Sequence, residues 1–183
     1  MIIQYKRKQH KTILRRPTKI IVGLFYLRRN KMGYSIYVGT SAPGNHSGGT
    51  RGGIGLAVYD NHNEIVYEKG ITVDNPNDHV ELDLMALVEA LEYAEDEDVV
   101  YSDSEYCVKG FNEWLDNWKR KGWRKSGRKP VANRALWQRV DELRSDKYVE
   151  VVKVRAHSGN KGNENADALA FAAAQNQMNI IGQ

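Results

Sequence analysis

The apolar residues of this chain change their repeat once, near residue 80, and a purely helical or purely stranded fold cannot follow that change. Ile54, Leu56 and Val58 alternate, as along a half-buried strand, whereas Leu84, Leu87, Val88 and Leu91 recur at helical spacing. Ahead of the change, residues 34–38 read as a first strand and residues 44–53 as a glycine-rich turn. The Asp60-Asn61-His62-Asn63 turn ends the second strand, and residues 64–73 form a third with Ile65 and Tyr67 on one face. Three strands so closely spaced imply an antiparallel meander. After the change, residues 81–94 read as a helix closed by the acidic tract 95–98, and residues 99–101 as a short apolar strand. Ser102-Asp103-Ser104 both ends that strand and caps a helix reaching about Lys121, with Val108, Phe111, Leu115 and Trp118 inward. A helix over 133–143, a fifth strand over 148–154 and a last helix from about Asn163, carrying Ala166, Leu169, Ala170 and Ala173, complete an α/β domain.

Charge divides the chain differently. Residues 1–32 hold ten Lys or Arg and no acid, while the remainder holds seventeen bases against twenty-three acids. Residues 119–129 concentrate seven of those bases: Lys119, Arg120, Lys121, Arg124, Lys125, Arg128 and Lys129. Two positive segments on an otherwise acidic body point to local contact with a polyanion. The expected organisation is a basic extension over 1–32, a domain over 33–176 and a tail over 177–183. Four readings of the extension stay open: an arm on nucleic acid, a targeting presequence, an exposed tail without a role, or sequence ahead of a true start at Met32. The longest apolar run, residues 20–27, falls far short of the roughly 20 residues that span a bilayer. A single cysteine, Cys107, can form no internal disulfide, which fits a reducing, intracellular setting, cytoplasmic by expectation.

Three aspartates can do chemistry. Asp103 closes a strand, Asp83 falls in the first turn of a helix, and Asp167 starts the last helix after the 155–162 loop that carries His157. Carboxylates gathered from separate elements repel one another unless a cation or protons neutralise them, and their oxygens suit hard Mg²⁺. Each aspartate alone is equally a helix N-terminal acid favoured by the macrodipole.

Order and spacing of longer motifs add a resemblance. Val100-Tyr101-Ser102-Asp103-Ser104-Glu105-Tyr106-Cys107-Val108, then Trp114, Trp118, Gly122-Trp123, Lys129-Pro130-Val131 and Leu136-Trp137, lead to Val154-Arg155-Ala156-His157-Ser158-Gly159 and Asn163-Glu164-Asn165-Ala166-Asp167. Over nearly 140 residues this resembles ribonuclease HI, the type 1 ribonuclease H family. The resemblance implies a ribonuclease H-like fold: a mixed five-stranded sheet of order 3-2-1-4-5 with helices on both faces. It also implies hydrolysis of the RNA strand of an RNA/DNA hybrid by two ions, Mg²⁺ or Mn²⁺. By the same resemblance Asp83, Asp103 and Asp167 are catalytic metal ligands, and His157 assists proton transfer or product departure. Glu81 lies about 200° round the helix from Asp83 and is the weaker candidate.

One acid of the family's four is missing. The resemblance puts Gly39 of Val38-Gly39-Thr40-Ser41 where the family has the Asp that bridges both metals, and no other Asp or Glu precedes Asp60. Two ions roughly 3.5–4 Å apart would then be less well screened. Cleavage is expected to be impaired, with a hybrid-binding protein or a nucleoprotein subunit as the alternatives; restoring the acid by Gly39→Asp is expected to raise it. Residues 119–129 fall where the family carries a basic protrusion that grips the substrate. That makes the seven bases nucleic-acid contacts, with Trp114 and Trp118 as further contacts or, the stronger reading, as packing for the protrusion, and Asn45 matching a minor-groove contact. The expected partner is RNA/DNA hybrid or A-form RNA, bound by a monomer with no membrane attachment.

Overall fold

The computed structural model describes residues 33–42 and 51–175. Its elements are β1 (Ser35–Ser41), β2 (Arg51–Tyr59), β3 (Ile65–Asp74), α1 (His79–Tyr93), β4 (Val99–Ser102), α2 (Glu105–Lys109), α3 (Leu115–Arg120), α4 (Arg134–Ser145), β5 (Glu150–Lys153) and α5 (Lys161–Ala174). The strands form one sheet of order β3-β2-β1-β4-β5. β1 and β2, and β2 and β3, pair antiparallel, whereas β1 with β4 and β4 with β5 run parallel. Asn45 and the segments 1–32 and 177–183 lie outside the described residues.

The two faces of the sheet are covered by different means. On one, Ile36, Val38, Ile54, Leu56, Val58 and Val100 join Leu82, Leu84, Leu87 and Leu91 of α1 and Trp137 and Val140 of α4 in a single core. On the other, α5 lies directly on β1 and β2. A Cβ added at Gly53 would stand 2.6 Å from the Ala174 nitrogen, and one at Gly55 would stand 2.7 Å from that of Ala170. No real side chain tolerates that approach, so the glycines are what seat the helix. For the same reason β2 begins at Arg51, and Gly52 and Gly53, expected in a turn, are strand.

Three further expectations change. Ile65 is 51% exposed because β3 is the edge of the sheet, so its alternation is not that of a buried face. The helix expected to run unbroken to about Lys121 is divided by a π-helical turn at Gly110–Trp114. Across it the buried position shifts, leaving Cys107 buried and Val108 only half-buried. Gly110 sits flat against the Trp137 ring, where any Cβ would collide. The fifth strand is shorter than expected, and Tyr148 stands outside it, 68% exposed.

Candidate active site

The sheet brings the ends of β1 and β4 side by side, with Val38 paired to Ser102. Asp103 follows directly, its turn held by the Ser104 N–H, which donates to Ser102 Oγ at 3.1 Å. Asp83 reaches the same edge from α1. Because α1 begins at His79, Asp83 is its fifth residue and lies in the second turn, not the first. Its Oδ1 accepts from Thr40 Oγ1 at 2.6 Å, and Ser104 bonds to the same carboxyl. Glu81 plays a different part: its carboxylate accepts from the Asn77 N–H at 2.7 Å and Asn77 Nδ2 at 2.8 Å, while the Asp78 side chain caps the helix by accepting from the Glu81 N–H. Glu81 therefore fixes the start of α1, and Asp83 is the acid presented to the site.

Asp167 arrives from α5, whose start is capped by Asn160 Oδ1 accepting from the Asn163 N–H at 3.1 Å. Asn163 is buried and donates through Nδ2 to Asp167 Oδ2 at 3.2 Å. Ahead of the helix, His157 is exposed and holds a left-handed backbone with φ of 50°. Glu164 Oε1 accepts from the Gly159 N–H at 3.1 Å, and Ser158 Oγ donates to the Arg155 carbonyl at 2.8 Å, so the loop bearing His157 is tied at both ends.

The electrostatics join these acids through Asp103. Burial pushes the Asp167 carboxyl up to about 6; the negative charge of Asp103 adds to the rise, His157 opposes it, and Glu164 adds slightly. Burial also raises Asp83, against the hydrogen bonds from Thr40 and Ser104, with Asp103 raising it further and His79 lowering it. Asp103 is thus within electrostatic reach of both its neighbours. Among the described residues, however, no three His, Cys, Asp or Glu side chains stand together as a ready metal cage. The common pocket expected of Asp83, Asp103 and Asp167 is therefore not formed as a three-acid cluster, and Asp83 is bonded instead to Thr40 and Ser104.

The donor set still suits a hard divalent cation: all oxygen, carboxylate-rich, and repulsive when ionised. Asn163 Oδ1, beside Asp167, is the one buried side-chain polar atom without a partner among the described residues, and a cation's hydration water would satisfy it. Thr40, Ser104 and Asn163 belong to the motifs read in sequence, but their hydrogen bonds to the acids are not legible there. The carboxylate that Thr40 and Ser104 meet comes from α1 and leaves no periodic signal.

The basic segment is an ordered protrusion. The chain turns at Gly122 and Trp123, both with positive φ, and the Trp123 N–H donates to the Trp118 carbonyl at 2.7 Å. Lys125 and Lys129 then pair backbone to backbone at 2.8 Å, and Val131 donates back to Trp123 at 3.1 Å. Arg120, Lys121, Arg124, Lys125, Arg128 and Lys129 are exposed. Lys119 is held by Asp141, Nζ to Oδ2 at 2.8 Å. The contact expected of Trp118 is corrected. Its ring is buried between Trp114 and Trp137, with centroids 5.6 and 5.3 Å away, so it packs the base of the protrusion. Trp114 is half-buried in the same stack.

Comparison with known proteins agrees with this geometry. Residues 31–175 match the model of the RNase H family. Over 127 residues the chain is 42% identical to a ribonuclease H of Cyanothece sp., a match covering 67% of this chain and 79% of that protein. It is similar in structure to LC9-RNase H1, a type 1 RNase H with the type 2 active-site motif, at 31% identity and a TM-score of 0.65, over 79% of this chain and 72% of that one. The fold is also that of part of a foamy viral protease-reverse transcriptase solved in complex with RNA/DNA hybrid, at 18% identity and a TM-score of 0.69, covering 79% of this chain and 20% of that one. With a family model spanning most of its length and the family's sheet order in its structure, the chain belongs to the RNase H family.

Proposed function

We propose that this protein binds RNA/DNA hybrids and hydrolyses their RNA strand endonucleolytically with Mg²⁺ or Mn²⁺. The observation that carries the reading is Asp103, at the end of β4, within electrostatic reach of Asp83 on one side and Asp167 on the other. Asp83, Asp103 and Asp167 would hold the cation, which when bound supplies a Lewis acid and an activated water at the scissile phosphate. Thr40 and Ser104 orient Asp83, and Asn163 orients Asp167. His157, exposed on its tied loop, would carry a proton to the departing ribose oxygen. The exposed bases of the protrusion grip phosphates on the flank of the duplex. Residues 1–32 act as a basic arm that adds phosphate contacts; their deletion should make the slope of log affinity against log salt shallower.

A labelled hybrid incubated with Mg²⁺ or Mn²⁺ tests the reading, and RNA fragments longer than mononucleotides support it. A second reading, hybrid binding without cutting, is favoured by Gly39 alone. Retention of the hybrid without any RNA fragments selects that one.

A further inference from the structure

Gly39, Gly53 and Gly55 open a trough for the body of α5, but a trough does not fix where along it the helix stops. The start of α5 meets a platform of three tyrosines on that face of the sheet. Tyr37 of β1 pairs across to Tyr101 of β4, and their rings stack with centroids 4.7 Å apart and planes 15° apart. Tyr59 of β2 stands edge-on to Tyr37, at 5.6 Å and 87°. Gly162, in the first turn of α5, lies on the Tyr37 ring: a Cβ built there would stand 2.6 Å from Cγ and closer still to Cδ2 and Cε2. The Tyr37 hydroxyl is bonded to the side chain of Asn160, the residue that caps the helix. Tyr59 Oη accepts from Asn165 Nδ2 at 3.2 Å, and the same amide donates to Glu68 Oε1 at 2.6 Å.

From the cap the bonds continue to the acid. Asn160 Oδ1 accepts from the Asn163 N–H at 3.1 Å, and Asn163 Nδ2 donates to Asp167 Oδ2 at 3.2 Å. On the other side, Tyr101 precedes Asp103 by two residues on the same strand end. We propose that Tyr37 is a positioning residue for the acids: its ring sets how far α5 advances over the sheet, and its hydroxyl, through Asn160 and Asn163, sets where Asp167 stands relative to Asp103. This rests on the proposed metal-dependent function and deepens it, because supporting contacts of this kind preset the oxygens a cation meets.

Calorimetric titration of Mn²⁺ alone into the full chain, well below the melting temperature of each variant, tests this apart from cleavage. The matched control is Tyr67, a half-buried tyrosine stacked on Tyr93 of α1, on the opposite face of the sheet. Tyr37→Ala should weaken Mn²⁺ uptake by about tenfold or more, the cost of removing a ligand's support. Tyr67→Ala gives up a comparable ring and should bind as the parent does. Tyr37→Phe keeps the ring and should bind about threefold more weakly than the parent, the scale of one neutral hydrogen bond. On a labelled hybrid, Tyr37→Ala should lower kcat and leave KM near the parent value, since the protrusion is untouched. If Tyr37→Ala does not fold, Tyr37→Phe decides. Parent-like Mn²⁺ uptake by either Tyr37 variant overturns the assignment and leaves the function standing. A loss in Tyr67→Ala equal to that in Tyr37→Ala also overturns it, since both would then reflect general destabilisation. A parent chain that takes up no Mn²⁺ contradicts the function, and the role of Tyr37 falls with it.

Discussion

The two flanks of this molecule are packed by opposite means. Under α5 the backbone of the helix approaches the strands because Gly39, Gly53 and Gly55 present no side chain. Beneath the protrusion, Trp114, Trp118 and Trp137 with Tyr106 fill the space with rings, and Trp137 Nε1 donates to Tyr106 Oη at 2.9 Å. Asp167 sits on the glycine side and the exposed bases on the aromatic side. Close backbone packing places a charged group with little freedom, which suits chemistry. A ring-filled base supports a loop whose own side chains stay in solvent, which suits gripping a polyanion.

The contrast should break in opposite directions. Trp137→Ala empties a fully buried site and should cost about 3–5 kcal/mol in denaturant unfolding. On the other flank the damaging change is an addition: Gly55→Ala forces a methyl against Ala166 and Ala170 and should cost about 1–3 kcal/mol. A Gly55→Ala chain as stable as its parent would mean that the trough is not what seats α5.

Protonation sharpens the same comparison. An acid whose folded-state pKa is raised binds its proton more tightly in the native state, so its contribution to stability falls as pH rises from the ordinary carboxylate range, about 4, through about 6. Relative to the parent, Asp167→Asn should therefore raise the melting temperature at pH 7 and lose that advantage near pH 4. An advantage that does not change with pH would place the stabilisation elsewhere. The smallest effect is expected at the protrusion. Neutralising Lys125 or Lys129 should leave the fold unchanged and make the slope of log hybrid affinity against log salt shallower by about 0.9 for each phosphate no longer neutralised.

Much of the fold is legible in residue order. Ile54, Leu56 and Val58 announce a strand, and Leu84, Leu87 and Leu91 a helix, because burial on one face repeats with the period of the element. The trough is not legible that way. A glycine adds nothing to an apolar count, and its value at Gly53 and Gly55 lies in a helix more than a hundred residues later. Gly110, which opens the π-helical turn, likewise lies against Trp137, a residue of α4. At the site, Asp83, Asp103 and Asp167 stand out as acids at element ends, yet only three-dimensional contact separates Asp83, bonded to Thr40, from Glu81, bonded to Asn77. Gly39 reads in sequence as a simple loss, and only the structure shows the backbone of α5 lying against it.

The central claim, that the Asp103-centred acids cut the RNA strand of a hybrid, is tested most directly by comparing the parent chain with Asp103→Asn on an end-labelled RNA/DNA hybrid in Mn²⁺. The parent should yield internal RNA fragments, and Asp103→Asn should lose about a hundredfold or more of that rate, equal to about 2.7 kcal/mol of barrier, while still binding the hybrid. Equal rates in the two chains, or no fragments from either, would contradict it.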